Sequence, residues 1–198
     1  AHDGDCWNQN ATLGIACKFG LMRVTGGEFK GRRPQHVKGF KGRPTTDFGR
    51  ESLFNLLRSR LDIEGADVLD LFAGTGMVGL EFASRGCATL TAVEQDVRAV
   101  RSIQEMFRVF ELEHCQVIRG NALDFVKRAL TSYDVVFADP PFGLEGLETI
   151  PAKIMTSGLL EPGGWLILEH GERTDVSEVQ GFQECRHYGH VQFSLFKK

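Results

Sequence analysis

Four consecutive residues, Asp139-Pro140-Pro141-Phe142, combine a carboxylate, two rings that stiffen the backbone and an aromatic side chain. They follow Tyr133-Asp134-Val135-Val136-Phe137-Ala138, an apolar run that reads as a buried strand. A turn of this make-up at a strand end suits the holding of a flat, amino-bearing group. The lone pair of an exocyclic amine is delocalised into its ring, so the nitrogen is a weak nucleophile. It strengthens as it pyramidalises, when its two N–H bonds turn toward acceptors. The Asp139 carboxylate and the Pro140 carbonyl are candidates for those acceptors. Pro141 helps to stiffen the turn, and Phe142 is placed to stack on a flipped-out base. This chemistry needs alignment with an electrophile and requires neither a metal nor a covalent intermediate.

Sixty-five residues before Asp139, Gly74-Thr75-Gly76-Met77-Val78-Gly79 satisfies G-x-G-x-x-G between a strand and a helix. Glu94 stands 20 residues beyond Gly74, at the end of the next strand. That arrangement is also the dinucleotide fingerprint, so an NAD-dependent oxidoreductase is the rival reading. Asp70 separates the two. A dinucleotide places a pyrophosphate beside the loop, where a carboxylate repels it. S-adenosylmethionine (AdoMet) places an ammonium and a sulfonium there, and the same carboxylate attracts them. Asp139 has no evident role in the NAD reading, so the pair favours AdoMet and methyl transfer to an amine. The candidate cofactor residues are Asp70, Phe72, Ala73, Gly74, Thr75, Gly76 and Glu94, with Asn121 and Ala122 near the adenine amine. Two plainer readings stand beside these: Asp70 as a cap of the turn, and Asn121 as a helix N-cap.

The elements that must position these residues follow from periodicity. After Gly65 the chain alternates strands (68–72, 90–94, 117–119, 133–138, 165–169) with helices (78–85, 97–110, 122–130, 150–157). Near-continuous apolar strands between amphipathic helices mean a parallel sheet covered on both faces. Residues 183–188 and 191–196 flank Gly189-His190 and read as a terminal hairpin. Five parallel units closed by a hairpin give a mostly parallel, seven-stranded, doubly wound α/β sheet. This is the Rossmann-like class I methyltransferase architecture.

Three stretches divide the chain. Residues 1–21 fit nothing that follows and are expected to be a non-native or disordered leader, with the native start at Met22. Residues 22–60 form a basic extension: a small hairpin through Arg33, a loop from Pro34 to Pro44, and a helix capped by Thr45-Thr46-Asp47 and running to Arg60. Residues 61–198 form the methyltransferase domain.

Charge is uneven along these stretches. The total is −3, yet residues 22–50 carry +6, with eight basic side chains against Glu28 and Asp47, while residues 51–198 carry −8. A cationic arm on an anionic body suits a polyanionic partner. Arg23, Lys30, Arg32, Arg33, Lys38, Lys41 and Arg43 are the candidate RNA contacts, and the interleaved Phe29, Phe40 and Phe48 could stack on bases. No apolar run reaches the roughly 18 residues that read as a membrane span. Five scattered cysteines without a C-x-x-C pair argue against a disulfide framework or a zinc site and fit a reducing cytosol. Cys87 and Cys115 should pack as small apolar groups, Trp165 should be core, and His170 should lie in a solvated loop.

The N-terminal block resembles a known family. Leu21-Met22-Arg23-Val24-Thr25-Gly26-Gly27 with Gly31-Arg32-Arg33, then Arg43-Pro44-Thr45-Thr46-Asp47 and Arg50-Glu51-Ser52-Leu53-Phe54-Asn55, are similar to the opening of bacterial 16S ribosomal RNA guanine-N2 methyltransferases, the RsmD family. Asp70 to Gly76 and Asp139 to Phe142 continue the match, which extends over residues 22–198. The resemblance implies that Asp70, Gly74 and Gly76 hold AdoMet, that Glu94 binds its ribose and that Asp139 to Phe142 hold a guanine amine. It also implies that Arg43-Pro44-Thr45 and the following helix close over the methionine end. The implied partner is 16S rRNA within the assembled 30S subunit, met by a cytoplasmic monomer without metal. Phe48-Gly49 replaces the Arg-Val more usual after Thr-Thr-Asp, and Asn121 stands where many relatives carry Asp. An N6-adenine or N4-cytosine DNA methyltransferase, a protein glutamine methyltransferase, and an RNA-binding module with a relict pocket are the alternatives. The first lacks a large recognition domain here, the second does not explain the cationic arm, and the third leaves Asp139 idle.

Overall fold

The computed structural model describes residues 22–34, 46–128, 130–189 and 191–198. One seven-stranded sheet organises them, in the order β3-β2-β1-β4-β5-β7-β6. Its strands are β1 (Asp67–Leu71), β2 (Thr89–Glu94), β3 (Cys115–Arg119), β4 (Tyr133–Ala138), β5 (Leu160–His170), β6 (Phe182–Tyr188) and β7 (Val191–Lys197). The first five are parallel, and β7 pairs antiparallel with both β5 and β6. The helices are α1 (Asp47–Leu57), α2 (Met77–Ser84), α3 (Val97–Val109), α4 (Ala122–Lys127) and α5 (Ile150–Thr156).

Alternation along each strand sends side chains to two separate cores. Val68, Val135, Phe137 and Ile167 face α1, α2 and α3, together with Leu53, Phe54, Leu57, Phe82 and Ile103. Leu69, Leu71, Val136, Leu166 and Leu168 face α4 and α5, against Val126, Ile150 and Ile154. The strand order reverses between β1 and β4, so their C-terminal ends diverge into a crevice, the usual ligand position in such sheets.

The helix before Gly65 and the strands and helices expected after it are present, with shifted ends. β5 begins at Leu160 rather than Trp165. Pro162-Gly163-Gly164 read as loop, but Tyr133 pairs with Leu160 and a register shift before Val135 absorbs the irregular residues. Trp165, expected in the core, is half-buried, because it stands near this irregular lower end. α1 ends at Leu57 and α4 at Lys127, each one turn early. No helix among the described residues is long and apolar enough to cross a membrane.

The hairpin expected through Arg33 is a loop: among the described residues 22–34 there is no strand ladder. Val24 N donates to Arg32 O (3.0 Å) and Gly31 N to Val24 O (2.8 Å), which closes a short loop. Its tip docks on the last turn of α2. Glu28 N donates to Ser84 O (2.7 Å), Phe29 N to Ser84 Oγ (2.9 Å), and Ser84 Oγ to Gly26 O (2.7 Å). A Cβ on Gly27 would lie 1.8 Å from Ser84 O, so the Gly26-Gly27 pair is what permits this approach. Higher on α2, fully buried Glu81 accepts from Thr25 N (2.8 Å), Thr25 Oγ1 (3.0 Å), Arg85 Nη1 and Arg50 Nε (3.3 Å). Arg50 is itself fully buried and donates through Nη2 to Asp47 Oδ1 (2.7 Å) and Arg23 O (2.8 Å). These bonds fasten α1 and the extension to the helix that follows the glycine loop.

Candidate active site

The C-terminal ends of β1, β2 and β4 open into a cavity of about 660 Å³, within the range of small-molecule sites. Asp70, Phe72, Ala73, Gly74, Thr75, Glu94, Asn121, Ala122, Asp139, Pro140, Pro141 and Phe142 all line it. Residues picked at four separate places in the sequence therefore converge. Gly76 does not line the cavity; it is the N-cap of α2, buried behind the loop.

Three left-handed residues shape the loop after β1: Phe72 (φ 63°), Gly74 (φ 55°) and Gly76 (φ 74°). The glycines adopt that conformation without strain. For Phe72 it costs about 1–3 kcal/mol, a kind of strain that concentrates at functional sites. Gly76 is doubly constrained, because a Cβ there would lie 2.8 Å from Ile103 Cγ1 and from Met106 Cε. Glu94 braces the loop from the neighbouring strand. Its Oε2 accepts from Gly74 N (2.8 Å) and its Oε1 from Asp96 N (2.7 Å), so each oxygen keeps one lone pair for a ligand hydroxyl.

Asp70 is 1% exposed. Its Oδ2 accepts from Gly79 N (3.1 Å), in the first turn of α2, so it caps that helix and faces the cavity at once. Burial pushes its carboxyl up to about 7; the nearby charge of Glu94 adds to the rise and the Gly79 N–H opposes it. No cation among the described residues pairs with it.

Asp139 continues the same face of the sheet. Asp70 pairs with Phe137, and Phe137 with Ile167. Two residues further along β4 and β5 stand Asp139 and Glu169, side by side on that face. Burial first, then Glu169, then Asp70 hold the Asp139 carboxyl well above the usual carboxylate range. Glu169, 9% exposed, escaped sequence reading. A carboxylate closing an apolar strand, as at Asp70 and Glu94, was the signal that could have found it.

Beyond Asp139 the chain forms a type II turn. Leu144 N donates to Pro141 O (3.0 Å) and Gly143 takes φ 80°, the positive value required at the third position. Phe142 sits at the outer corner and is 85% exposed. Asn121 is the N-cap of α4, its Oδ1 accepting from Leu123 N (2.9 Å) and Asp124 N (3.1 Å). With both lone pairs engaged, it offers the cavity an N–H donor. Among the described residues no group of three or more His, Cys, Asp or Glu side chains could hold a metal ion.

Of the cationic candidates, the described ones do not line this cavity. Arg23, Lys30, Arg32 and Arg33 lie on the extension, whose tip meets the C-terminal ends of α2 and α3. Those ends are at the opposite edge of the sheet from the glycine loop. The Arg32 guanidinium stacks on Phe110, 4.1 Å from the ring centroid, and lies 5.2 Å from that of Phe29. Lys38, Lys41, Arg43 and Thr45 lie outside the described residues, as do residues 1–21 and Phe40.

Three expectations are corrected. Phe29 cannot stack on bases, because it is 8% exposed and packs edge-on against Phe110; Phe48 is exposed. Arg50 adds no charge to the cationic surface, because Glu81 and Asp47 consume it in the interior. His170 is not a solvated loop residue. It ends β5, 4% exposed, between Ser194 Oγ (2.8 Å) and Gly171 O (3.0 Å). Cys87 is buried and Cys115 half-buried, and burial pushes both thiols up to about 12, which suits inert packing.

Comparison with known proteins matches this geometry to one family. Residues 22–197 match the family model described as Conserved hypothetical protein 95. The Bacillus subtilis protein YlbH is 33% identical over 184 residues, covering 89% of this chain and 99% of that protein. Ribosomal RNA small subunit methyltransferase D of Escherichia coli K12 is 37% identical over 147 residues, covering 74% and 70%. The solved structure of the Escherichia coli protein yhhF superposes with a TM-score of 0.77 at 30% identity, covering 89% of this chain and 97% of that one.

Proposed function

Because the chain belongs to the family described as Conserved hypothetical protein 95, we propose that this methyltransferase moves a methyl group from AdoMet to the exocyclic N2 amine of a guanine in 16S ribosomal RNA. One observation carries the reading. A buried carboxylate without an internal cation, Asp70, shares a cavity with an acceptor turn that presents Asp139 and an exposed aromatic. A cationic ligand fits beside Asp70 and an anionic one does not, which removes the dinucleotide rival. The name carried by the Escherichia coli relative supplies the small-subunit RNA.

Bound in the cavity, AdoMet supplies a methyl group on a sulfonium that a nitrogen lone pair can displace. Asp70 draws the cationic end inward, Glu94 accepts from the ribose with its remaining lone pairs, and Asn121 donates to a ring nitrogen. Asp139 and the Pro140 carbonyl accept the two N–H bonds of the guanine amine, which localises the lone pair. Phe142 stacks on the base, and Asp139 is placed to take the proton that the nitrogen sheds after methylation. The extension contacts the phosphate backbone through Arg23, Lys30, Arg32 and Arg33. It lies beyond the length of α2, about 12 Å for eight residues, so it meets the RNA some nucleotides away from the reacting base, and we take the substrate to be the assembled 30S subunit. We take the protein to act there as a cytoplasmic monomer.

The test is transfer of tritium from labelled AdoMet to small-subunit particles, with the modified nucleoside identified by mass spectrometry. Label on the guanine N2 amine is the expected result. Label on adenine, on DNA or on protein glutamine, or no transfer, overturns the reading.

A further inference from the structure

Phe142 is largely exposed, yet its ring does not stand free. A Cβ built on Gly171 would lie 3.1 Å from Phe142 Cε1 and 3.2 Å from its Cζ, so the ring leans edge-on against the glycine and keeps its faces open. The backbone of Gly171 does not adopt the left-handed conformation that favours glycine. What the position requires is room. The glycine is in turn held firmly. Its carbonyl accepts from Thr174 N (3.2 Å) and from His170 Nδ1 (3.0 Å), and His170 Nε2 accepts from Ser194 Oγ (2.8 Å). The carbonyl can only accept, so Nδ1 carries a proton, and burial, which disfavours the imidazolium, leaves Nε2 as the acceptor. Both His170 and Ser194 are buried.

We propose that Gly171 is a positioning residue for the acceptor turn, setting the tilt at which Phe142 meets the incoming base. The inference rests on the base-stacking role given to Phe142 above and assigns the support beneath it. A side chain at 171 needs the ring to move by a few tenths of an ångström. The ring is exposed and can swing, so the fold and the end of the cavity between Asp70 and Glu94 are spared while the stacking geometry at the outer end changes. Stacking of a base on an aromatic side chain is worth roughly 5- to 150-fold in binding, and a tilted ring forfeits part of that.

A double-mutant cycle tests this on the intact protein, with small-subunit particles as substrate and S-adenosylhomocysteine as the binding probe. Gly171→Ala is expected to lower kcat/KM for RNA about tenfold, mainly through KM, with S-adenosylhomocysteine affinity unchanged. Gly171→Val, with a bulkier branch, loses more. In a Phe142→Ala background, Gly171→Ala should cost less than about twofold, because the ring it displaces is gone. Equal losses in both backgrounds, or no loss with Phe142 present, overturn the role of Gly171 and leave the proposed function standing. A wild-type enzyme that moves no methyl group to RNA overturns that function, and this inference falls with it.

Discussion

Asp70 and Glu81 are two acids of nearly equal burial, 1% and 0% exposed, at opposite ends of one stretch of chain. Glu81 meets two arginines, a hydroxyl and a backbone N–H inside the protein. Asp70 meets a single backbone N–H and, among the described residues, no cation. A buried charge matched internally holds an architecture together, here α1 and the extension against α2. Breaking such a match is expensive because the partner charge is stranded. A buried acid left unmatched marks a place where a cation arrives from outside. The two ends of the molecule thus spend carboxylates differently, and Asp139 belongs with Asp70.

If that division holds, Asp139→Ala should give the largest functional effect: turnover falls roughly 100-fold or more. Affinity for AdoMet and thermal stability should stay near wild type. A matching loss of cofactor binding in calorimetry would move Asp139 from the acceptor side to the cofactor side. Glu81→Gln should do the reverse. Arg50 keeps Asp47, so removing the Glu81 charge from between Arg50 and Arg85 costs about 1.5–3 kcal/mol, or very roughly 5–10 °C in Tm for a chain of this size. Activity per folded molecule should be kept; an unchanged Tm would show that the buried network does not hold the extension.

Asp70→Asn sharpens the contrast through pH. Its carboxyl is raised from the ordinary 3.8 to about 7 in the ligand-free fold, and a cation favours the ionised form. Wild-type affinity for AdoMet should therefore tighten as pH rises toward 7 and level off above it, by up to about tenfold per unit below that value. Asparagine keeps the acceptor for Gly79 N–H but removes the charge, so the variant should bind more weakly at pH 8 and show no such slope. The ligand-free fold follows the opposite sign. A carboxyl raised on folding destabilises increasingly as pH climbs from about 4 to 7, and fully above that. Asp70→Asn should thus raise the Tm of the ligand-free protein at pH 8 but not at pH 4. The smallest effect is expected at the other end of the molecule. Arg32→Gln should weaken RNA binding only modestly and reduce the slope of log affinity against log salt by about one. An unchanged slope would take the extension out of the RNA contact.

The sheet was legible from sequence because its strands are short apolar runs between amphipathic helices; the strand order was not, because the same alternation serves more than one doubly wound order. The lining of the cavity was legible for a related reason. A carboxylate at the end of an apolar strand has few structural uses, so Asp70, Glu94 and Asp139 stood out, and Gly74 did so by its place in G-x-G-x-x-G. Arg50 and His170 were misread because burial of a polar side chain depends on partners far along the chain, Glu81 and Ser194, that no local pattern announces. Glu169 was missed because it sits at the edge of an apolar run that periodicity assigns wholly to the core. The close approach that makes Gly171 and Gly27 necessary was not legible, because it lies in what comes up to each of them, a ring in one case and a carbonyl in the other.

The turn at Pro141 to Leu144 closes on its own hydrogen bond, with Pro140 ahead of it, Pro141 as its first residue and a left-handed glycine inside it. Its shape therefore exists before any RNA arrives. The encounter need not wait for this segment to fold around the nucleotide, and ordering entropy is shifted from the binding event to the birth of the protein. Capture of the base should accordingly be governed by how readily the RNA releases it from its own helix.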